Sequence, residues 1–492
     1  MRKKVIIIGA GPGGLACAML LAARDFDVTV LERGSKVGGR TTSIEGDGFR
    51  FDAGPTFFLY PVVLEEIFAA VGRNLHNEVK LIRLDPQYRI IFGQGGELQA
   101  TGDIERMEKQ IAAISPEDAP AFRRFMDDNR LKLQRFKPCL ESPFLSWRDV
   151  ATRRMMKLLP LLRPHRSLDS ELGRYFSEPR IRLAFSFQSK YLGMSPFRCP
   201  SLFSILSFIE YEHGVFHPQG GCSAVVEAMA RVATDLGVKI LLNREVTEVL
   251  FDGQKAVGVR AGEDMRADAV VINADFARAM RRLVPAHLRR RWSDGKIEKK
   301  KYSCSTFMMY LGLEGGQDHL AHHNIFIAAD YLNNMRDIEA RHVLSENPSF
   351  YVANPSRTDD TMAPPGMSVL YVLVPVSHMH PNINWPRMRD PFRAATLKHL
   401  RHIGVEDVEK RIRFERICTP ADWESKFEIF RGATFNLAHN LGQMLHLRPR
   451  NRFEELENVY LVGGGTHPGS GLPVIFESAR ITSRLLQEDF AS

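Results

Sequence analysis

The first forty residues constrain the chain most. Lys4-Val-Ile-Ile-Ile-Gly9 is a short apolar run rich in β-branched residues, and Gly9-Ala-Gly11-Pro-Gly-Gly14 follows it directly. Such a run suits a parallel strand buried on both faces. Leu15 to Ala23 then reads as a helix of small and apolar residues, Asp27–Leu31 as a second strand, and Glu32 closes that strand. A GxGxxG spacing alone is weak evidence. Between a strand and a helix, with an acidic residue ending the next strand, it specifies a dinucleotide-binding unit. Gly9 permits the tight turn, Gly11 lets the backbone approach a pyrophosphate, and Gly14 lets the helix pack closely on the strand. The helix N-terminus offers free N–H groups and the positive end of a dipole to the phosphates. Glu32 accepts from a ribose 2′-OH and disfavours a 2′-phosphate there.

The rest of the 492 residues must build more than one core, and two to four domains are expected. Apolar residues at 44% and charged residues at 25% exclude a disordered or collagenous chain. The six cysteines are dispersed with no CxxC pair, which excludes a zinc ribbon and a thioredoxin-type site; no metal is expected. Reduced thiols in a cytoplasmic protein are the simple reading. The opening MRKKVIIIG superficially resembles a signal peptide, but its apolar part is short and runs straight into the glycine loop. No apolar run approaches the roughly 20 residues that span a bilayer. The expectation is a soluble or peripheral protein. A net charge of +8 permits attraction to an anionic surface.

Further along, residues 103–135 read as helical with a turn near Ser115-Pro116, and residues 185–216 are dense in aromatics. Those aromatics are either a core or the lining of an apolar tunnel. A helix over 224–237 precedes strand patterns at Lys239–Leu242, Val246–Phe251, Ala256–Arg260 and Ala269–Ile272. Strand-like runs at Thr306–Leu313, Asn324–Ala328, Ser349–Ala353 and Ser368–Pro375 suggest a second sheet. The chain closes with a strand at Asn458–Val462, the loop Gly463–Gly471 and a helix from Leu472 to Leu486.

Lys36-Val-Gly38-Gly39-Arg40 and Phe51-Asp-Ala-Gly54-Pro55-Thr56 extend the N-terminal fingerprint, and they resemble the glutathione-reductase-like flavoproteins of the amine oxidase branch. PFLSWRDV, HGVFHPQGG and NVYLVGGGTHPGSGLP narrow the resemblance to the bacterial-type carotenoid desaturases, the phytoene and diapophytoene desaturase family, over nearly the whole chain. The resemblance implies an α/β fold. A discontinuous Rossmann-like FAD-binding domain (1–102, 220–280 and 441–492) would be interrupted by a mainly helical, membrane-associating insertion (103–219) and a substrate domain with a mixed sheet (281–440). It implies FAD held by Gly9, Gly11, Gly14, Glu32, Gly38, Gly39, Arg40, Gly54, Pro55, Thr56, Val246, Gly464, Gly465, Thr466 and Val474. The final helix, pointing at the flavin, would stabilise negative charge developing there. The sequence departs from many relatives at Phe216-His217 and near Phe476-Glu477, which leaves the exact carotenoid open.

The implied activity is desaturation of a carotenoid precursor, with hydride passing to flavin N5 and a proton leaving the adjacent carbon. The implied partners are a hydrophobic isoprenoid, a membrane surface, and oxygen or a quinone as electron acceptor, with no nucleic acid. A related isomerase, oxygenase or hydroxysqualene-type oxidase, or a non-enzymatic lipid-binding escort of the same fold, is the alternative. Loss of a proton from a delocalised cation needs only a weak base. Asp149 and His467 are the candidate catalytic groups, although Asp149 also reads as an N-cap for the basic segment that follows it. That segment, 151–166, combines Met155, Met156, Leu158, Leu159, Leu161 and Leu162 with five cationic residues. It suits interfacial contact with a membrane, as two short turns broken at Pro160, or else packing into the insertion's own core.

Overall fold

The computed structural model describes residues 2–491. Its N-terminal unit is a five-stranded parallel sheet in the order Lys239–Leu241, Asp27–Leu31, Lys4–Ile8, Ala269–Ile272, Val459–Leu461. The first strand shows why a continuous apolar run is required. Val5 and Ile7 face a layer built by the helices Pro12–Ala22, Cys222–Asp235 and Leu472–Ala491. Ile6 and Ile8 face the other way, onto Val249 and Val259 of a three-stranded antiparallel meander. Both faces are buried, so alternation with polar residues would leave unpaired groups in a core.

The second sheet has seven strands, ordered Ile412–Cys418, Ser305–Glu314, Met367–Val376, Phe350–Ala353, His323–Ile327, Tyr88–Phe92, Glu97–Ala100. All its pairings are antiparallel except His323–Ile327 with Tyr88–Phe92. The sheet is therefore mixed, as expected. Its last two strands correct the expected boundary at residue 102. They pair with the substrate-side sheet, because Asn324 to Ile327 offers them a parallel edge in register with Arg89 to Phe92. In the strand Ser305–Glu314, Phe307, Met309 and Leu311 pack beneath the helix Trp385–His399, while Met308 and Tyr310 face Phe49 and Phe51.

The helical insertion packs Ala121–Leu140, Arg153–Leu162 and Ser204–His213 around one core. Its aromatics divide between the two expected roles. Phe185, Phe208 and Tyr211 are core residues, whereas Phe187, Tyr191 and Phe203 also line the main cavity. The segment at Pro160 corrects the two-turn expectation, since Arg153–Leu162 is one helix that contains the proline. Pro160 sits in its last turn on an exposed flank, where only one intrahelical bond is forgone. Met155, Leu158 and Leu162 face the core, while Met156 and Leu159 are 59% and 51% exposed. All six cysteines are buried free thiols. Among the described residues, no helix is long and apolar enough to cross a membrane, and no cluster of metal-ligating side chains occurs.

Candidate active site

The N-terminal glycines separate into two physical kinds. A Cβ at Gly9 would lie 2.5 Å from the carbonyl of Asn273, and one at Gly14 would lie 2.3 Å from the carbonyl of Gly9. These two positions are closed by backbone. Gly11 would meet the Asn273 side chain at 3.1 Å, and Gly39 only the Gly11 Cα, at 3.8 Å. The surface over Gly11 and Gly39 is thus bare backbone. No side chain caps the helix that begins at Pro12, so its first N–H groups are free to bind an anion. Gly38 adopts φ +108° and donates to the carbonyl of Ala10 at 2.8 Å, which folds the GGR turn against the glycine loop. Glu32 accepts from Ala10 N at 2.9 Å and from Gly34 N at 2.8 Å. Its carboxylate is fixed at the edge of the cradle, where a ribose hydroxyl would be met.

Arg40 is half-buried and donates to the carbonyl of Thr434 at 2.7 Å. Burial lowers its pKa and nearby Asp275 opposes that shift. Asn436 bridges the two when its amide is oriented to satisfy both, donating to Asp275 at 2.7 Å and accepting from Arg40 at 3.1 and 3.2 Å. Gly54 is another close approach, since a Cβ would lie 2.5 Å from the Arg40 carbonyl. Tyr371 donates to the carbonyl of Gly54 and Tyr310 to that of Ala53, each at 2.6 Å, so two tyrosines of the large sheet hold this segment. Thr56 Oγ1 pairs with the Tyr351 hydroxyl at 2.7 Å, which pairs with His323 Nδ1 at 2.7 Å. Pro55 lines the cavity beside them.

On the C-terminal side, Gly464, Gly465 and Thr466 form the loop ahead of the last helix. Phe276 lies where a Gly465 Cβ would sit, at 2.7 Å. Arg448, fully buried, donates to the carbonyls of Gly464 and Thr466. His467 donates from Nε2 to the carbonyl of Ser142 at 3.0 Å and lines the cavity. Burial pushes its pKa down to about 4, so the ring is neutral at physiological pH. Val474 faces the same cavity. Val246 does not: it is buried against the meander, two residues after Arg244 N, which donates to the Glu32 carbonyl.

Asp149 is not among the residues lining the cavity. Its Oδ2 accepts from Leu145 N at 2.9 Å and Ser146 N at 2.7 Å, closing the turn Trp147–Asp149. The N-cap of the basic helix is Thr152, not Asp149, because Thr152 immediately precedes the first helical residue and its Oγ1 reaches Met155 N. Sequence reading missed Asn273 and Arg448. Asn273 Nδ2 donates to the Gly9 carbonyl at 2.9 Å and so organises the loop. Its one visible signal is a polar residue directly after the all-apolar strand Ala269–Ile272.

The cradle opens into a large, mostly apolar cavity of about 390 Å³. It runs from Arg40, Gly54 and Thr56 at one side and His467–Ile475 at another to Phe187, Tyr191, Leu206, Ile325, Ile327 and Leu373. The residues fit FAD: bare backbone over an uncapped helix N-terminus, an acidic side chain for the ribose, and an adjoining cavity.

The fold and cradle define a flavin-dependent oxidoreductase, and the chain belongs to the flavin-containing amine oxidoreductase family, whose model matches residues 12–486. Cyclohexylamine oxidase from Brevibacterium oxydans IH-35A has the same fold, with a TM-score of 0.62 at 15% identity and 100% coverage of both chains. Within the family the chain belongs to the carotenoid desaturases. It is 41% identical to a 4,4′-diapophytoene desaturase (4,4′-diapolycopene-forming) of Methylomonas sp over 99% of this chain and 95% of that one. It is 40% identical to an all-trans-zeta-carotene desaturase of Myxococcus xanthus, over 99% and 94%.

Proposed function

We propose that this chain is an FAD-dependent desaturase that removes two hydrogens from adjacent carbons of an acyclic carotenoid precursor such as phytoene or diapophytoene. The observation that carries this reading is the cavity. It joins the cofactor cradle to a long wall of Phe, Tyr, Leu, Ile and Met side chains, in which Arg40 and Lys190 are the charged residues. A hydrocarbon offers no polar handle, so a wall of this kind binds it by apolar burial and orients it by shape.

Bound FAD supplies a two-electron acceptor for a hydride. Gly11, Gly39 and the N-terminus of Pro12–Ala22 hold the pyrophosphate, and Glu32 holds the ribose. Arg40, Gly54, Thr56, Gly464, Gly465, Thr466 and Val474 complete the site, with Val246 supporting its ribose end. His467 is neutral and faces the cavity, which suits it to accept the proton lost from the adjacent carbon. Asp149 acts from outside the cavity by holding the turn at 147–149. In this reading the FAD-binding domain is discontinuous, and the strands Tyr88–Phe92 and Glu97–Ala100 are assigned to the substrate side because they pair in the seven-stranded sheet.

A water-insoluble chain must be collected from a bilayer. We assign that contact to Trp147, Met156 and Leu159, which are 64%, 59% and 51% exposed, with Arg153, Arg154 and Lys157 meeting anionic headgroups. Electrons then pass to oxygen or a quinone. The deciding experiment supplies purified, FAD-loaded protein with diapophytoene in vesicles, with oxygen or a quinone and no NADPH. A longer-wavelength polyene product is expected. An absolute requirement for NADPH in every turnover would refute the single-cofactor mechanism.

A further inference from the structure

The imidazoles that line the cavity, His439 and His467, end where they stand. His467 Nε2 is committed to the Ser142 carbonyl and His439 Nε2 accepts from Ser470 N, while Nδ1 of each is buried without a partner. Neither has a group to which it could pass a proton. His323 is different. It lies one side chain behind the wall, where the lining residue Phe57 stacks on it with ring centroids 4.0 Å apart and planes at 13°. His323 Nδ1 pairs with the Tyr351 hydroxyl at 2.7 Å, and that hydroxyl pairs with Thr56 Oγ1 at 2.7 Å. Thr56 and Tyr351 both line the cavity and are half-buried, so this polar row begins on the accessible wall.

Behind His323 the row continues to the surface. His323 meets His322 with ring centroids 4.5 Å apart, and His322 meets His217 at 4.7 Å. His322 Nδ1 pairs with the hydroxyl of Thr358, which is exposed, and His217 Nε2 pairs with Asp359 at 2.9 Å. A pocket of about 10 Å³, lined by Asp52, Thr56, His217 and His322 among others, adjoins the row and has room for one water. His323 itself bonds no carboxylate, since Nδ1 is on Tyr351 and Nε2 is buried without a partner. Burial and nearby His217 hold its pKa well below the ordinary histidine range, so the ring is neutral. With its hydrogen on Nε2, it presents a lone pair to Tyr351. A phenol alone is a poor base. A phenol that can hand its own hydrogen to an imidazole as it takes another is a much better one.

We infer that Tyr351 and His323 are a proton-accepting pair for the desaturation. In the cation left by hydride loss, the C–H bond on the adjacent carbon breaks and its electron pair becomes the new C=C bond. The proton goes to the Tyr351 oxygen as the Tyr351 hydrogen passes to His323 Nδ1. The imidazolium so formed lies on the face of Phe57, which favours a cation, and its proton leaves by way of His322 and Thr358 to water. This rests on reading the cavity as the site of desaturation and supplies a proton exit that His467 lacks.

The test gives FAD-loaded protein diapophytoene in phosphatidylcholine vesicles. It measures retention of diapophytoene after the vesicles are floated away, and the rate of polyene formation in a single anaerobic turnover in light and heavy water. The hydrogen in flight between Tyr351 and His323 exchanges with solvent, so the wild type should be slower in heavy water. Tyr351→Phe keeps the ring, and His323→Gln keeps an acceptor for the Tyr351 hydroxyl. Each should slow the turnover on the order of a hundredfold, abolish the solvent isotope effect, and leave diapophytoene retention and FAD content near those of wild type. Either variant carries the test if the other fails to fold. No solvent isotope effect in the wild type, or an undiminished one in the folded variants, would overturn the pair alone. So would an effect lost in His467→Gln and kept in Tyr351→Phe, which would place the step at His467. A wild type that retains no diapophytoene would overturn the polyene channel and the pair with it.

Discussion

Arg448 donates from Nη2 to the carbonyl of Gly464 at 2.7 Å, in a core where no carboxylate among the described residues pairs with the guanidinium. Its Nε reaches the Thr466 carbonyl at 3.0 Å. Burial lowers its pKa to about 9, which leaves it charged at neutral pH. Two carbonyls of one glycine loop are thereby drawn onto one planar cation. Arg448→Met should lower stability by about 2–3 kcal/mol, in line with hydrogen bonds to a charged group, and should reduce FAD retention. Arg448→Lys should recover only part of both, because a point charge lacks the fork. Thermal melting and flavin absorbance per mole of protein measure the two effects. A Met variant with wild-type values in both would remove Arg448 from this role.

The two kinds of glycine should respond differently. Gly11→Val places its branch over open cradle near the Asn273 side chain, so the protein should fold and fail to hold FAD. Gly14→Ala drives a methyl to 2.3 Å from the Gly9 carbonyl and should destabilise the fold itself. Circular dichroism with flavin titration separates the outcomes. Stoichiometric FAD at wild-type affinity in Gly11→Val would contradict the cradle assignment.

Glu210 gives a pH dependence of stability. It is fully buried, accepts from Gln188 Nε2 at 2.8 Å and the Tyr88 hydroxyl at 3.0 Å, and faces Tyr191 and Tyr211 with no cation paired to it. Burial raises its pKa from 4.5 to about 7. The folded state therefore binds its proton more tightly than the unfolded state. That contribution is fully present below 4.5 and is lost as pH rises through about 7. Glu210→Gln should be more stable than wild type at about pH 8.5, by as much as about 3 kcal/mol, with the gain shrinking towards about pH 5. Denaturant unfolding at both pH values checks the sign; a gain at the lower pH only would reverse it.

Charge reversal tests the membrane face. Arg153→Glu, Arg154→Glu and Lys157→Glu together should weaken flotation with anionic vesicles, each cation being worth on the order of 1 kcal/mol near the surface, and leave FAD content intact. Equal flotation of variant and wild type across a salt series would eliminate this helix as the contact.

Asp149→Asn tests whether the turn or the chemistry needs the acid. The amide keeps an acceptor for Leu145 N and Ser146 N, so a loss of about 1 kcal/mol is expected, with turnover near that of wild type. A large fall in turnover at unchanged stability would return Asp149 to a chemical role.

The sequence by itself determined the cofactor class and the strand–loop–helix units that hold it. Gly9, Gly14 and the run Val5–Ile8 follow from local sterics and from burial on two faces, which adjacent residues encode. The family was also legible, because its motifs are short and contiguous. Tertiary structure decided the rest. The strands Tyr88–Phe92 and Glu97–Ala100 have nothing in their own residues to say which sheet they join; the edge at His323–Ile327 chooses for them. Thr56 meets Tyr351 across 295 residues of chain, and Arg448, Asn273 and His323 read in isolation as ordinary polar residues. A hydrogen bond or an unpaired donor depends on what packing brings within about 3 Å of it, and that is a property of the assembled core, not of the residue or its neighbours in sequence.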